Sequence, residues 1–140
     1  SFFTPELFRA MLEIAQEYNC PIRQPIAYGD NPTAGMPNVA DPMKDQAPQL
    51  MREFNARTTD SIFVNFYDEG ATRDELLNIF GRVTEGTYEL MCHPGYVDEA
   101  FAKESSYNFQ RERELKILTD PSIKQAIEAH NIELTTFGSI

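Results

Sequence analysis

Thr87-Tyr88-Glu89-Leu90-Met91-Cys92-His93-Pro94-Gly95 is the stretch from which the rest of this chain can be read. Residues 87–92 predict a β-strand. A residue that precedes proline is pushed out of the helical region, and glycine admits a tight turn, so Pro94 and Gly95 force a sharp exit. That exit leaves His93 at the strand tip.

Upstream, Thr72-Arg73-Asp74-Glu75 has the pattern of a capping box. It leads into a helix carrying Leu76, Leu77, Ile79 and Phe80 and ending at Gly81. Residues 61–66 (Ser-Ile-Phe-Val-Asn-Phe) give the strongest strand signal of the chain, broken by Gly70. Thr4, Pro5 and Glu6 open an amphipathic helix with Leu7, Phe8, Met11, Leu12 and Ala15 on its apolar face, stopped by Asn19 and Pro21. Pro21-Ile22-Arg23-Gln24-Pro25 is extended and reads as a strand end.

Residues 24–45 hold four prolines and two glycines with little periodicity, which predicts a long loop of the kind used as a lid or binding segment. Residues 47–56 predict a further helix. Downstream of the opening stretch, residues 108–118 and 121–130 predict two helices, the second capped by Asp120 with Pro121 in its first turn. Residues 133–137 predict a last short strand. Strands separated by helices argue for an α/β fold of parallel β/α units, in which active-site groups gather at the C-terminal ends of strands. His93 stands at such an end.

The 140 residues suffice for one domain, because a chain of this size can bury roughly 70% of its unfolded surface. Residues 1–140 are accordingly read as a single domain portion. Hydrophobic residues make up 41% and charged residues 24%, which is ordinary globular usage. With 12 Lys and Arg against 22 Asp and Glu the net charge is −10, which disfavours nucleic acid and anionic membrane surfaces as partners. Arg111, Arg113 and Lys116 alternate with Glu112 and Glu114, a pattern expected of a solvated helix face. The only cysteines, Cys20 and Cys92, form no CxxC motif or paired framework, which fits a reducing, cytoplasmic setting. No apolar run has the length of a membrane span, and residues 1–30 lack the pattern of a secretion signal. Because the chain begins at Ser1 and not at a methionine, it is read as a processed or truncated product.

His93 is the leading candidate for chemistry, since imidazole titrates near neutral pH and can transfer a proton at a strand tip. The alternative is a half-buried histidine satisfied by a backbone carbonyl. His130, in the last turn of its helix, is expected to complement the helix dipole. Asp68, Glu69, Asp74 and Glu75 form the densest acidic group. Their places in a turn and in the first turn of a helix account for them structurally, while a glycosidase would draw on such carboxylates. Gly29-Asp30-Asn31-Pro32 reads as a turn, unlike a phosphate-cradling loop. With only two histidines and no His-x-x-x-His spacing, no metal ligands are assigned.

A longer ordered string carries a resemblance. Tyr88-Glu89-Leu90-Met91-Cys92-His93-Pro94-Gly95-Tyr96-Val97-Asp98-Glu99, then Ser105-Ser106-Tyr107-Asn108, Arg111, Glu114, Leu118-Thr119, Pro121 and Ile132-Glu133-Leu134, resembles the C-terminal segment of the YdjC-like carbohydrate deacetylases. Residues 5–23 look like the helix and strand that follow that family's metal-binding histidines. The resemblance implies the C-terminal part of a modified β/α barrel. The implied enzyme removes acetyl groups from N-acetylated sugars such as chitooligosaccharides, using a divalent metal (Mg or Zn), a carboxylate base and an acid.

His93 matches the position of that acid. The carboxylate base and metal ligands are expected in an N-terminal half outside this chain, so the chain alone is expected to be inactive. Half-barrels associating as a homo-oligomer are an alternative. The resemblance puts Arg23 in the active-site region, where a guanidinium can orient a carboxylate, the alternative being an exposed arginine between prolines. Tyr107 is a candidate to bond or stack on the sugar, or else to pack as a core or helix-staple residue. The competing function is a non-catalytic sugar-binding or regulatory remnant of the same fold.

Overall fold

The computed structural model describes residues 4–23 and 41–140, with side chains described from residue 46 onward in the second stretch. Its helices are α1 (Pro5–Glu17), α2 (Asp41–Glu53), α3 (Arg73–Phe80), α4 (Glu99–Glu104), α5 (Phe109–Leu118) and α6 (Pro121–Ala129). Its strands are β1 (Ser61–Phe63) and β2 (Tyr88–Leu90), and 3₁₀ turns occupy Asp68–Gly70 and Phe137–Ser139. Helix and sheet are thus mixed, and β1 pairs with β2. Asp60 N–H reaches Thr87 O at 2.8 Å, and Met91 N–H reaches Phe63 O at 2.9 Å. Both partners advance together along the chain, so the pairing is parallel.

The helix starts are set by local side chains. Thr4 Oγ1 accepts from Leu7 N–H at 3.3 Å, Asp98 from Phe101 N–H at 2.8 Å and Asp120 from Ser122 N–H at 2.7 Å. Each cap satisfies a donor that the helix itself leaves open. Three helices end on asparagines with positive φ: Asn19 at 50°, Asn55 at 46° and Asn131 at 53°. After each, an N–H returns to a carbonyl five residues back, Cys20 to Ala15, Ala56 to Met51 and Ile132 to Ile127. Asparagine tolerates the left-handed region, and this return bond closes the last turn.

Several sequence expectations are corrected. Residues 41–45 belong to α2 and not to a loop. Pro42 falls in the first turn, where its missing N–H costs no helical bond. Residues 24–40, with the Gly29-Asp30-Asn31-Pro32 turn, lie outside the described residues. Residues 21–23 form no strand end. The strand expected over 61–66 stops at Phe63. The donor that would continue its parallel ladder is His93 N–H, and that group goes instead to the Glu114 carboxylate. Residues 133–137 form no strand, having no ladder partner among the described residues, and Leu134 is left exposed. Helix α4 was not foreseen.

The capping box at α3 is half realised. Thr72 Oγ1 accepts Glu75 N–H at 3.1 Å. The Glu75 carboxylate turns away, to the Asn65 amide and to Arg82 at 3.2 Å, while Thr72 N–H bonds Gly70 O.

The chain divides into two compact units. The first draws on Ser1–Ile62, Gly86–Glu89 and Thr135–Ile140. There α1 packs on α2 through Phe8, Leu12, Ala47, Leu50 and Met51, with Ile22 completing the cluster. Their removal from water is the main stabilising contribution, at about 1.5–3 kcal/mol for each large side chain. The second unit comprises Phe63–Glu85 and Leu90–Leu134. Phe63, Val64, Phe66, Ala71, Leu76, Ile79, Phe80, Met91 and Ile123 are its buried apolar residues, and α3 packs on α6. No helix among the described residues is long and apolar enough to cross a membrane.

Candidate active site

In the second unit, His93 follows β2 and is fastened on both sides of its peptide unit by α5. The Glu114 carboxylate accepts its N–H, and Arg111 Nη1 donates to its carbonyl at 3.3 Å. Two residues on, Gly95 N–H donates to Arg111 O at 3.2 Å. Pro94, between them, has no N–H to place. The strand tip is therefore held by a helix face and not by a ladder.

Glu114 is fully buried. Its second oxygen accepts the Tyr107 hydroxyl, so each oxygen has one donor. No ion pair involves it among the described residues. A carboxylate taken from water without a cation needs such bonds to be tolerated at all. The Tyr107 hydroxyl oxygen also accepts Asp68 N–H at 3.0 Å. Burial, followed by the bond to the Glu114 carboxylate, pushes the Tyr107 hydroxyl up to about 12, against the smaller opposing pull of the Asp68 N–H.

Three rings meet here. Tyr67 and Tyr107 stack with centroids 4.6 Å apart and planes 2° from parallel. His93 meets both edge-on, at 5.4 Å from Tyr67 and 5.7 Å from Tyr107. Its Nδ1 is buried and has no hydrogen-bond partner among the described residues. A histidine satisfied by a carbonyl at that atom is thereby set aside, and an orphaned buried nitrogen calls for a reason. Arg111, expected on a solvated face, instead places its guanidinium over Phe101 at 5.4 Å and Tyr107 at 5.7 Å, with Nε donating to Tyr107 O at 3.1 Å. Arg113 bonds the Asp68 carbonyl.

Arg23 lies in the first unit. Its Nε donates to Glu89, which is only 8% exposed and whose Oε2 has no partner among the described residues. His93 and Tyr107 are brought together, while Arg23 has Glu89 for its partner. His130 ends α6 with Nδ1 on Ala126 O at 2.8 Å, the role expected of a cation-capable ring at a helix C-terminus. Asp74 and Glu75 stand in the first turn of α3, and Asp68 and Glu69 in the 3₁₀ turn. Glu114, Arg111 and Tyr67 were given no role in the site from the sequence. The i, i+4, i+7 spacing of Tyr107, just ahead of α5, with Arg111 and Glu114 on that helix was the available signal.

The model of the YdjC-like protein family matches residues 2–129. The chain belongs to this family. Among curated YdjC-like relatives, the carbohydrate deacetylase of Thermoanaerobacter pseudethanolicus is 36% identical over 130 residues, covering 92% of this chain and 44% of the relative. That of Geobacillus stearothermophilus is 31% identical over 134 residues, covering 95% and 45%. A crystal structure from Enterococcus faecalis V583, of a protein described as a candidate for cellobiose-phosphate cleavage, superposes with a TM-score of 0.74 at 26% identity, covering 97% of this chain and 48% of that one. This YdjC-like chain thus spans about half the length of the relatives it matches. Both curated relatives are named carbohydrate deacetylases.

Proposed function

We propose that the full-length protein hydrolyses the acetamide of N-acetylated sugars such as chitooligosaccharides, releasing acetate and a free amine, with His93 as the general acid. The observation that carries this is His93 itself. It is a half-buried imidazole fixed through its backbone by Glu114 and Arg111, with an unpartnered ring nitrogen, in a family whose curated relatives are carbohydrate deacetylases.

Water adds to the acetyl carbon, the C–N bond breaks, and the departing nitrogen takes a proton. An amine anion is too poor a leaving group to depart unprotonated, and a positioned imidazolium supplies that proton at neutral pH. Residues Glu114, Arg111 and Tyr107 orient the donor. Arg23, through its pair with Glu89, is assigned to positioning carboxylate chemistry, and Tyr107 to the substrate side through the ring it supports.

A divalent cation, Mg or Zn, belongs to this reading, where it would polarise the carbonyl and activate the water. Among the described residues no group of three or more His, Cys, Asp or Glu comes together to hold one. The resemblance to the YdjC-like family assigns the ligands and the carboxylate base to a part of the protein outside this chain, which would also supply the remaining strands of a β/α barrel. Association of half-barrels as a homo-oligomer is the alternative way to complete it, and a cytoplasmic location goes with the reading.

The test is acetate release from di-N-acetylchitobiose by the full-length protein. Release is expected to stop in chelator and to fall by roughly 10²–10⁴ in His93→Ala. Undiminished activity in His93→Ala would remove the assigned role.

A further inference from the structure

We propose that Tyr67 is the stacking platform that receives a pyranose ring beside His93. The identity of the ligand as a sugar rests on the reading above. The platform itself rests on the geometry of one residue.

Tyr67 is 44% exposed, although its ring is part of an ordered stack. One face lies flat on Tyr107, and His93 stands at 5.4 Å. The backbone beside it is pinned in an unusual conformation. Asp68 has φ 48°, in the left-handed region, and is held there from three directions. Its N–H donates to the Tyr107 hydroxyl oxygen, its carboxylate accepts from Gln110 Nε2 at 3.2 Å, and its carbonyl accepts from Arg113. Gly70 N–H closes the turn on Tyr67 O at 2.9 Å. Left-handed conformations outside glycine persist where the surroundings over-determine them, and they gather at functional sites.

A tyrosine backed by a second ring and fixed at its own backbone presents a rigid apolar face at little entropic cost. The ligand class that fits such a face beside a proton donor is a pyranose. Its C–H face lies on the aromatic ring, while its polar substituents remain free at the edge for His93. Tyr107 is then the backing of the platform, since its hydroxyl is committed to Glu114 and to Asp68 N–H.

The test is calorimetric binding of two probes, di-N-acetylchitobiose and cellobiose, to the full-length protein and its Tyr67 variants. Cellobiose has no acetamide, so its binding is read without turnover. Tyr67→Phe is expected to bind within about twofold of the natural protein, whereas Tyr67→Ala and Tyr67→Leu weaken binding about tenfold with unchanged circular dichroism. Tyr67→Leu keeps apolar volume over Tyr107, so a loss there is not a folding defect. Sugar binding that depends on Tyr67, with no acetate released by the natural protein, supports the platform and rejects the deacetylase reading. Natural binding in Tyr67→Leu, or no binding of either sugar to the natural protein, overturns the proposal.

Discussion

Replacing Glu114 by glutamine alters a single buried group whose partners are all known. Glu114 is wholly buried, and each of its oxygens accepts one donor, the His93 N–H and the Tyr107 hydroxyl. Glutamine has nearly the same shape but keeps one acceptor oxygen, and it turns an NH₂ toward the other donor. A buried donor left unsatisfied costs about 1–3 kcal/mol. Relief from burying a charge offsets part of that, so a net loss of about 1–2 kcal/mol is expected. Glu114→Ala orphans both donors and leaves a void, with an expected loss of about 3 kcal/mol or more. Equilibrium urea unfolding followed by far-ultraviolet circular dichroism measures both, as a lower midpoint at unchanged slope. A Glu114→Gln protein as stable as the natural one, or more stable, would refute the reasoning, because burial of the charge would then outweigh the bonds it makes.

Other outcomes follow from the same site and from the turn beside it. The Tyr107 hydroxyl is raised from the ordinary 10 to about 12, so the folded state holds this proton more tightly than the unfolded state. Its contribution to stability is complete below pH 10 and is lost as pH rises from about 10 to 12; unfolding measured across that window should show a steeper decline in the natural protein than in Tyr107→Phe. At Gly70 an added Cβ would stand 2.3 Å from the Asn65 carbonyl oxygen, which is backbone and cannot swing aside. Gly70→Ala should therefore cost about 1–3 kcal/mol in the same unfolding assay, and a neutral substitution would contradict the close approach.

What could be read in the sequence was local. Thr4, Thr72 and Asp120 fix helix starts through bonds to residues two or three positions on, and Asn19 ends α1 through its own left-handed conformation. Such features require no knowledge of distant chain. The end of β1 did, because it is decided by where His93 N–H goes, and its acceptor Glu114 lies on α5. The same helix misled for a related reason. Alternating arginines and glutamates look solvated when the side chains facing inward are charged, and here Arg111 and Glu114 are spent on the backbone and rings of the His93 tip. Tyr67 gave no signal, since its role follows from the ring stacked beneath it and from the pinned Asp68. His93 was legible as a histidine following a strand, although β2 ends at Leu90 and not at Cys92 as expected, and the resemblance of its surrounding string to the YdjC-like family agrees with the match over residues 2–129.

The assignment of His93 as an acid is tested most directly by comparing two leaving groups in the full-length protein. An N-acetylated sugar must have its nitrogen protonated to depart, whereas p-nitrophenyl acetate releases a stable phenolate that needs no proton. His93→Ala should slow acetate release from di-N-acetylchitobiose by roughly 10²–10⁴ while leaving p-nitrophenyl acetate hydrolysis much less affected. Equal losses on both substrates, or no loss on the sugar, would contradict the role.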